Sequence, residues 1–503
     1  MAILLLLALG WGVRFADLGQ QSLWEDELFS ADIIVSRPLL AAPGQPWLER
    51  STLSQVKPGD TFWTVKGADQ SPPLFELVGK LTTRVFGEGE LGLRMTSALS
   101  AALLLLWLAL RAWRWRAAPE GTVYLTVLAL MASSALLVFY AQEARAYSLG
   151  MVLATVLVVK FWERLVQGWR QAPLPGWGEV ALAAAACMAH YNALVLTGLL
   201  FVAYALEAVR RRHWSALARM SLVAVVVLAW LGVGYMGFDS AAQGHIGWVP
   251  PMSYMQALRL VMESLAARAM GYPFVALLAL LVGVGLAVAL VGVWRAHPAD
   301  AQAATRRRHI GALAVMVLLL LVYLMISGYV VHKSRIENVR HLVFALPVVF
   351  IVAGAVVNMV SAGRQWVAVL LVMALTATQV PALKTAHAVQ KGDYRGAAAF
   401  VLQRLQDGDT VVVGQMANAL GAHGYYLNAR SGRAMQTRLL NGVEAIAAMC
   451  ADMANQPRWG VVSSTHHTDL FNTLENTCGS SGWRIERFQA PGVLAQVWTR
   501  QVP

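Results

Sequence analysis

The chain has 503 residues, of which 57% are hydrophobic and only 14% charged, whereas a soluble domain carries roughly 25% charged residues. Its formal net charge is +12. These values exclude an ordinary water-soluble globular protein, and they leave the position of the basic residues to decide between nucleic acid and membrane.

Apolar runs of about 20 residues, enough to cross some 30 Å of hydrocarbon, recur along most of the sequence. They predict spans near residues 2–15, 94–112, 121–140, 148–166, 178–192, 193–209, 216–236, 272–294, 310–331, 342–360 and 365–383. The expected architecture is a polytopic α-helical membrane protein with about 11 transmembrane helices. The first run is short and also reads as the apolar core of a signal peptide. No basic segment precedes it and no small-residue cleavage site follows, so a membrane span is expected. Either reading leaves the next loop outside.

Arginines gather in alternate short loops: Arg111, Arg114 and Arg116; Arg164 and Arg170; Arg210, Arg211 and Arg212; Arg295 with Arg306, Arg307 and Arg308; and Arg364. This alternation is the positive-inside pattern and assigns those loops to the cytoplasm. The excess charge is therefore a topology signal, and no nucleic-acid partner is expected. The N-terminus is then cytoplasmic, and everything after the eleventh span lies outside.

Residues 16–93 form the first external loop. It carries Trp24-Glu25-Asp26-Glu27, three consecutive carboxylates, and later Gln70-Ser71-Pro72-Pro73-Leu74. Pro72 to Phe86 reads as an amphipathic interfacial helix entered through a Pro pair. Tyr140-Ala-Gln-Glu143-Ala-Arg145-Ala-Tyr147 lies between two apolar runs, and His190-Tyr191 ends another. The stretch 237–271, with Asp239, His245 and Trp248-Val-Pro250-Pro251, reads as a mobile external loop over a cavity. His332-Lys333-Ser-Arg335-Ile-Glu337-Asn-Val-Arg340-His341 is basic although external, an exception to the charge rule.

From about residue 385 the composition becomes that of a soluble domain. Residues 1–384 are thus expected as the membrane domain and 385–503 as an extracytoplasmic α/β domain. Asp393 onward has helical periodicity, whereas Gly408 to Gly414, Val461 to Ser464 and Val493 to Thr499 read as strands. Cys187 sits in a span as a small core residue. Cys450 and Cys478 share the outer domain, where an oxidising compartment allows a disulfide; sequence leaves their pairing open. His466-His467 with Asp469 lacks a third spaced metal ligand and reads as a surface turn. Gly283 and Gly285 read as a helix-packing surface.

Topology alone puts Asp26 and Glu27, Glu143 with Arg145, His190 with Tyr191, and Lys333, Arg335 and Arg340 at external ends of spans. Acids at such places are costly and usually functional. A carboxylate beside a water-poor cavity acts as a general base. Cations bind phosphate and stabilise charge on a departing phosphate oxygen. A base and a phosphate clamp are what transfer from a lipid-linked phosphosugar needs. From these residues alone the plainer readings stay open: a solvated helix start at Asp26 and Glu27, a turn-closing ion pair at Glu143 and Arg145, an interfacial histidine at His190, and headgroup binding by the basic cluster.

Ser22-Leu-Trp24-Glu-Asp26-Glu27, Ser71-Pro-Pro-Leu-Phe, Gly87-Glu-Gly-Glu-Leu-Gly-Leu-Arg94-Met-Thr-Ser97-Ala, the 140–147 motif and His190-Tyr191 occur in the order seen in integral membrane GT-C glycosyltransferases. The chain resembles the branch that includes protein O-mannosyltransferases, aminoarabinose transferases and lipopolysaccharide-core galacturonosyltransferases. The resemblance covers residues 1–385, with a looser match at Asp393-Tyr-Arg-Gly-Ala-Ala and Gly424-Tyr-Tyr-Leu. At Ser71 the chain departs from relatives with His, or Lys after an acid, before the Pro pair; Lys66, Asp69 and Gln70 lie close by.

The resemblance implies a GT-C fold and an inverting glycosyltransferase, hexosyl or pentosyl, of the outer face of a bacterial inner membrane. Asp26 or Glu27 would be the catalytic carboxylate. Glu143, Arg145, His190, Tyr191, Lys333, Arg335 and Arg340 would bind donor or acceptor. The donor would be a polyprenyl-phosphate sugar and the acceptor a glycan, a lipid-linked glycan or a protein, with membrane lipids around. No cofactor is expected, no metal ligand is assigned, and assistance by a divalent metal is left open. The alternative is a flippase or transporter of a lipid-linked sugar, which would also want buried acids and a phosphate clamp. Such proteins often show internal repeats and broken helices near the midplane, and the sequence shows neither.

Overall fold

The structure, a computed structural model, describes residues 1–35, 62–63, 66, 71–235, 251–295, 301–334, 339–414, 425–429, 435–440, 445–464, 468–479 and 482–501. The chain divides into two compact units. A helical unit comprises Met1–Ala16, Ser71–Phe75 and Thr96–Ala388, and a mixed unit comprises Asp17–Gln70, Glu76–Met95 and Val389–Pro503.

Helices follow in the order α1 (Ala2–Phe15), α2 (Glu25–Val35), α3 (Leu74–Phe86), α4 (Glu90–Arg114), α5 (Pro119–Ser133), α6 (Ala135–Ala141), α7 (Tyr147–Gly168), α8 (Trp177–Ala189), α9 (Tyr191–Arg210) and α10 (Trp214–Tyr235). Next come α11 (Tyr254–Glu263), a π-helical turn (Ser264–Met270), α12 (Tyr272–Arg295), α13 (Ala301–Ser334), a 3-10 turn (Val339–Ala345), α14 (Leu346–Ser361), α15 (Gln365–Ala377) and α16 (Val380–Ala388). The helix expected after the Pro pair is α3. Each predicted span falls on helix, but among the described residues six helices are long and apolar enough to cross a membrane, or up to eight if each of two bent pairs is one span. The count of about 11 is not reached by that measure. The 14 residues of α1 and 13 of α8 rise only about 20 Å. The 22 residues of α7 include Lys160, Glu163 and Arg164.

Those charges are paired. Glu163 accepts from Arg111 at 2.5 Å and from Tyr124 Oη at 2.5 Å, and Arg164 reaches Glu179 at 2.6 Å. Arg211 pairs with Glu207 and also donates to the Trp169 and Ala172 carbonyls at 2.5 and 2.9 Å. Paired charge is the form in which ionised groups persist among apolar helices.

One bent pair, α5 and α6, turns by 63° at Ser134. The break leaves carbonyls of the last turn of α5 without helical donors. Buried Arg14 supplies them, donating to Met131 O at 2.6 Å and Ala132 O at 3.1 Å. Gln142 does the same for the end of α1, donating to the Val13 and Ala16 carbonyls at 3.1 and 2.8 Å.

The stretch expected as a loop over 237–271 is helical from Tyr254, a correction with a local cause. Ser253 and Gln256 form a capping box that starts α11. Asp239, His245 and Trp248 lie outside the described residues. The π-helical turn then passes into α12 with a 101° bend.

The centre of the helical unit is α14, buried continuously from Leu346 to Val357. It packs on α5 so closely that a Cβ at Gly354 would lie 2.9 Å from Val123 O. Outward rows such as Leu103, Leu110, Val202, Leu206, Leu228 and Leu370 are exposed. Apolar faces of this extent are stable in hydrocarbon and costly in water. The chain is a multi-pass membrane protein.

In the mixed unit, α17 (Tyr394–Leu402) begins at Asp393, whose side chain accepts from Gly396 N at 2.9 Å. There follow β1 (Thr410–Gly414), β2 (Gln436–Leu440), α18 (Ile446–Met453), β3 (Arg458–Ser464), α19 (Thr468–Cys478), β4 (Trp483–Ala490) and β5 (Val493–Arg500). The sheet order is β2-β1-β3-β5-β4, with β1 parallel to β2 and β3, and β5 antiparallel to β3 and β4. Helices α18 and α19 cover one hydrophobic cluster that includes Trp459 and Trp498, stacked at 4.9 Å. A Cys450–Cys478 disulfide joins these helices, with Cα atoms 5.0 Å apart. Cys187 is buried and free.

Candidate functional site

In the mixed unit the acid motif opens α2. Glu25 starts the helix, so Asp26 and Glu27 stand in its first turn, where acids favour a helix N-terminus. Their settings differ. Asp26 is half-buried, whereas Glu27 is fully buried and Arg94 is 2% exposed. Arg94 Nε and Nη2 each donate to Glu27 at 2.7 Å, a bidentate fork. Lys391 Nζ adds a third contact at 3.2 Å. The remaining Arg94 donors hold the preceding loop through the Leu18, Gln21 and Ser22 carbonyls at 2.9, 2.8 and 2.9 Å. All five guanidinium N–H donors are thereby used.

The same loop is tied to residues near the end of the chain. Lys391 N donates to Gln21 Oε1 at 3.0 Å, and Ser22 Oγ donates to Gly392 O at 2.5 Å. Leu23 N donates to Tyr426 Oη at 2.7 Å, and Tyr426 Oη reaches Glu90 at 3.2 Å. Burial, with Glu90 beside it, raises the Tyr426 phenol above its ordinary range. Arg395 pairs with Glu90 at 3.3 Å and donates to the Gln20 carbonyl. The loosely matched motifs at 393–398 and 424–427 thus supply fasteners for the acid loop. Lys66 is fully buried and pairs with Glu76 at 3.0 Å; Asp69 and Gln70 lie outside the described residues.

In the helical unit the turn between α6 and α7 carries Glu143 and Arg145. Arg145 N donates to Glu143 O at 2.8 Å, and Ser97 Oγ donates to Arg145 O at 3.1 Å. Glu143 is 1% exposed. Its neighbour Tyr147 lies within electrostatic reach of both Arg145 and Glu143. The Tyr147 ring lies 4.7 Å from Tyr140 and 4.9 Å from His190, and His190 lies 4.9 Å from Phe344. Gly150 permits this column, because a Cβ there would stand 3.1 Å from His190 Cβ and 3.2 Å from the Phe344 ring.

His190 ends α8 and caps α9. Its Nδ1 accepts from Asn192 N at 3.0 Å. A ring nitrogen that accepts carries no proton, so the neutral ring presents Nε2–H. Arg145 and His341 are close enough to act on His190 electrostatically, and Arg340 acts on His341. Arg340 and His341 belong to the 3-10 turn before α14, where Tyr323 Oη donates to His341 O at 3.0 Å.

The structure therefore gathers Glu143, Arg145 and His190 around an aromatic column, and Arg340 belongs to the 3-10 turn that supplies Phe344 to it. Tyr191 is the exposed first residue of α9. Lys333 is exposed at the end of α13, with its ammonium 5.6 Å from the Tyr329 ring centroid. Arg335 lies outside the described residues, as do His466 and His467. Among the described residues no group of three His, Cys, Asp or Glu is placed to hold a metal ion. Sequence reasoning missed Arg94, Lys391 and Tyr426 as site-building residues, although Arg94 belongs to a motif already singled out.

No family model and no curated protein matches the chain. Solved structures do. The chain is similar to the crystal structure of ArnT from Cupriavidus metallidurans in the apo state, at 14% identity and a TM-score of 0.58, over 98% of this chain and 97% of that one. It is similar to the same protein bound to undecaprenyl phosphate at 16% identity and a TM-score of 0.55, with the same coverage. At these identities the likeness establishes architecture: the chain has the ArnT-like GT-C fold.

Proposed function

We propose that this protein is an inverting glycosyltransferase that takes a sugar from a polyprenyl-phosphate donor and delivers it to a glycan, a lipid-linked glycan or a protein. The carrying observation is an acid pair on a loop fastened by Arg94, in a chain whose fold is that of a protein crystallised with undecaprenyl phosphate. In this reading Asp26 removes the acceptor proton as the acceptor oxygen attacks the anomeric carbon. The bond from that carbon to the phosphate oxygen breaks, and its electron pair leaves with polyprenyl phosphate. Glu27, whose charge Arg94 and Lys391 already balance, holds the loop and does not take the proton.

Arg145 and Arg340, joined by Lys333 and Arg335, are assigned to the donor phosphate, where arginine binds in bidentate fashion. His190 offers Nε2–H as a donor, and Glu143 and Tyr191 bind donor or acceptor hydroxyls. The chemistry calls for no cofactor. The setting is a bacterial inner membrane crossed about eleven times, with this chemistry and residues 385–503 on the periplasmic side.

Undecaprenyl phosphate binding by purified protein tests the phosphate assignment. Arg340→Ala should weaken it by roughly ten- to a hundred-fold, the ~1.5–3 kcal/mol of a charge-assisted contact, with unfolding unchanged. Equal affinity in Arg340→Ala and in a Lys333, Arg335 and Arg340 triple alanine variant would assign these cations to general headgroup binding.

The arginine alternation tests the topology. Reporter fusions at residue 215 and at the C-terminus should report opposite sides of the membrane. Two cytoplasmic signals would overturn the external assignment of residues 385–503.

A further inference from the structure

At the other end of the helical unit the structure holds a cavity of about 520 Å³. It lies among the end of α4, the start of α5, the first turns of α13 and the Ala362–Gly363 turn after α14. The 16 residues of α14 set it about 24 Å from the 3-10 turn that carries Arg340. It is therefore distinct from the cluster around His190. Its lining combines two chemistries: Arg116, Arg306 and His309 are basic, and Ile3, Leu125 and Val369 are apolar. Among the described residues no Asp or Glu lines it.

The basic groups are available to a ligand. Arg116 is exposed; its guanidinium lies 4.5 Å from the Trp113 ring centroid, and one donor goes to Trp113 O at 2.9 Å. Among the described residues no carboxylate pairs with Arg116 or Arg306. His309 is 9% exposed, and its Nδ1 is 2.9 Å from Thr305 O. That bond commits the Nδ1 proton to the carbonyl. Both arginines belong to loops that the charge alternation assigns to the cytoplasm.

We propose that this cavity binds one anionic phospholipid of the cytoplasmic leaflet. Its phosphate sits on Arg116 and Arg306, and the upper part of an acyl chain lies along Ile3, Leu125 and Val369. Two observations select this occupant: exposed arginines that pair with no described carboxylate, and apolar lining that includes Val369, itself exposed on the surface of α15. A soluble anion would leave the apolar wall unused, and a zwitterionic lipid would bring its own cation against two arginines. Basic pockets between transmembrane helices at that face have this affinity in general. The site stands independently of the glycosyltransferase reading.

The test is native mass spectrometry of the purified full-length protein titrated with phosphatidylglycerol, phosphatidylethanolamine or inorganic phosphate. Phosphatidylglycerol should bind at least about tenfold more tightly than phosphatidylethanolamine. An Arg116→Gln, Arg306→Gln double variant should lose about a hundred-fold or more of that affinity, at about ten- to a hundred-fold for each charge-assisted contact. Arg170→Gln, an exposed arginine away from the cavity, should bind as wild type does. A second variant, Val369→Trp, should fill the apolar wall and lower lipid affinity with both arginines intact. Equal retention of the two lipids, an unchanged preference in the double variant, or displacement by millimolar inorganic phosphate would each overturn the proposal.

Discussion

Asp26→Asn protein should bind undecaprenyl phosphate as wild type does and lose sugar transfer by about 10²–10⁴-fold, the usual contribution of a general base. That loss corresponds to about 3–5 kcal/mol of transition-state stabilisation. The substitution keeps size and polarity and removes only the capacity to take a proton. Asp26 suits this role because it is half-buried in the first turn of α2, one residue before a carboxylate whose charge is already balanced. The loop beneath it is pinned by three Arg94 contacts to carbonyls, so the carboxylate is held in place before substrate arrives. The measurement is transfer by purified protein in detergent, with donor binding measured alongside. Transfer at the wild-type rate would remove the base from the proposal and leave a lipid-linked-sugar flippase as the better reading.

Glu27→Gln should behave differently and lose stability. Removing one partner of a buried ion pair costs about 3–5 kcal/mol, because the charge left behind stays desolvated. Here two cations, Arg94 and Lys391, would remain without their carboxylate. Arg94→Met should cost a similar amount and also release the Leu18, Gln21 and Ser22 carbonyls. The double variant should recover part of the loss, since Arg94 is then no longer stranded and only Lys391 lacks its carboxylate, and that recovery measures the Arg94–Glu27 coupling. Thermal unfolding of each variant in detergent checks these outcomes. Full stability in Glu27→Gln together with loss of transfer would move Glu27 from the scaffold to the chemistry.

Much of the architecture was legible in the residues because it depends on local pattern. Long apolar runs predict helices wherever they occur, and each predicted span falls on helix. Strands β1, β3 and β5 were legible as short apolar stretches because they form the buried middle of the sheet. Edge strands β2 and β4 were not. In β4 Arg484, Arg487 and Gln489 are exposed and Glu486 is half-buried, and charge on an edge blunts unwanted pairing while hiding the strand from a hydrophobicity reading. The bend at Ser134 also escaped, since nothing near it in sequence reveals that Arg14 will supply its missing donors.

The candidate site divides in the same way. Sequence alone determined which acids and bases are unusual, because a carboxylate at the mouth of a membrane helix stands out against apolar neighbours. Only the tertiary structure decided the setting of each carboxylate. Asp26 and Glu27 are adjacent and chemically alike, yet one is half-buried and the other is closed inside a fork. The partners that separate them, Arg94 and Lys391, are 67 and 364 residues from Glu27. Burial and charge compensation are properties of neighbours in space, and local periodicity carries no record of contacts made at such separations.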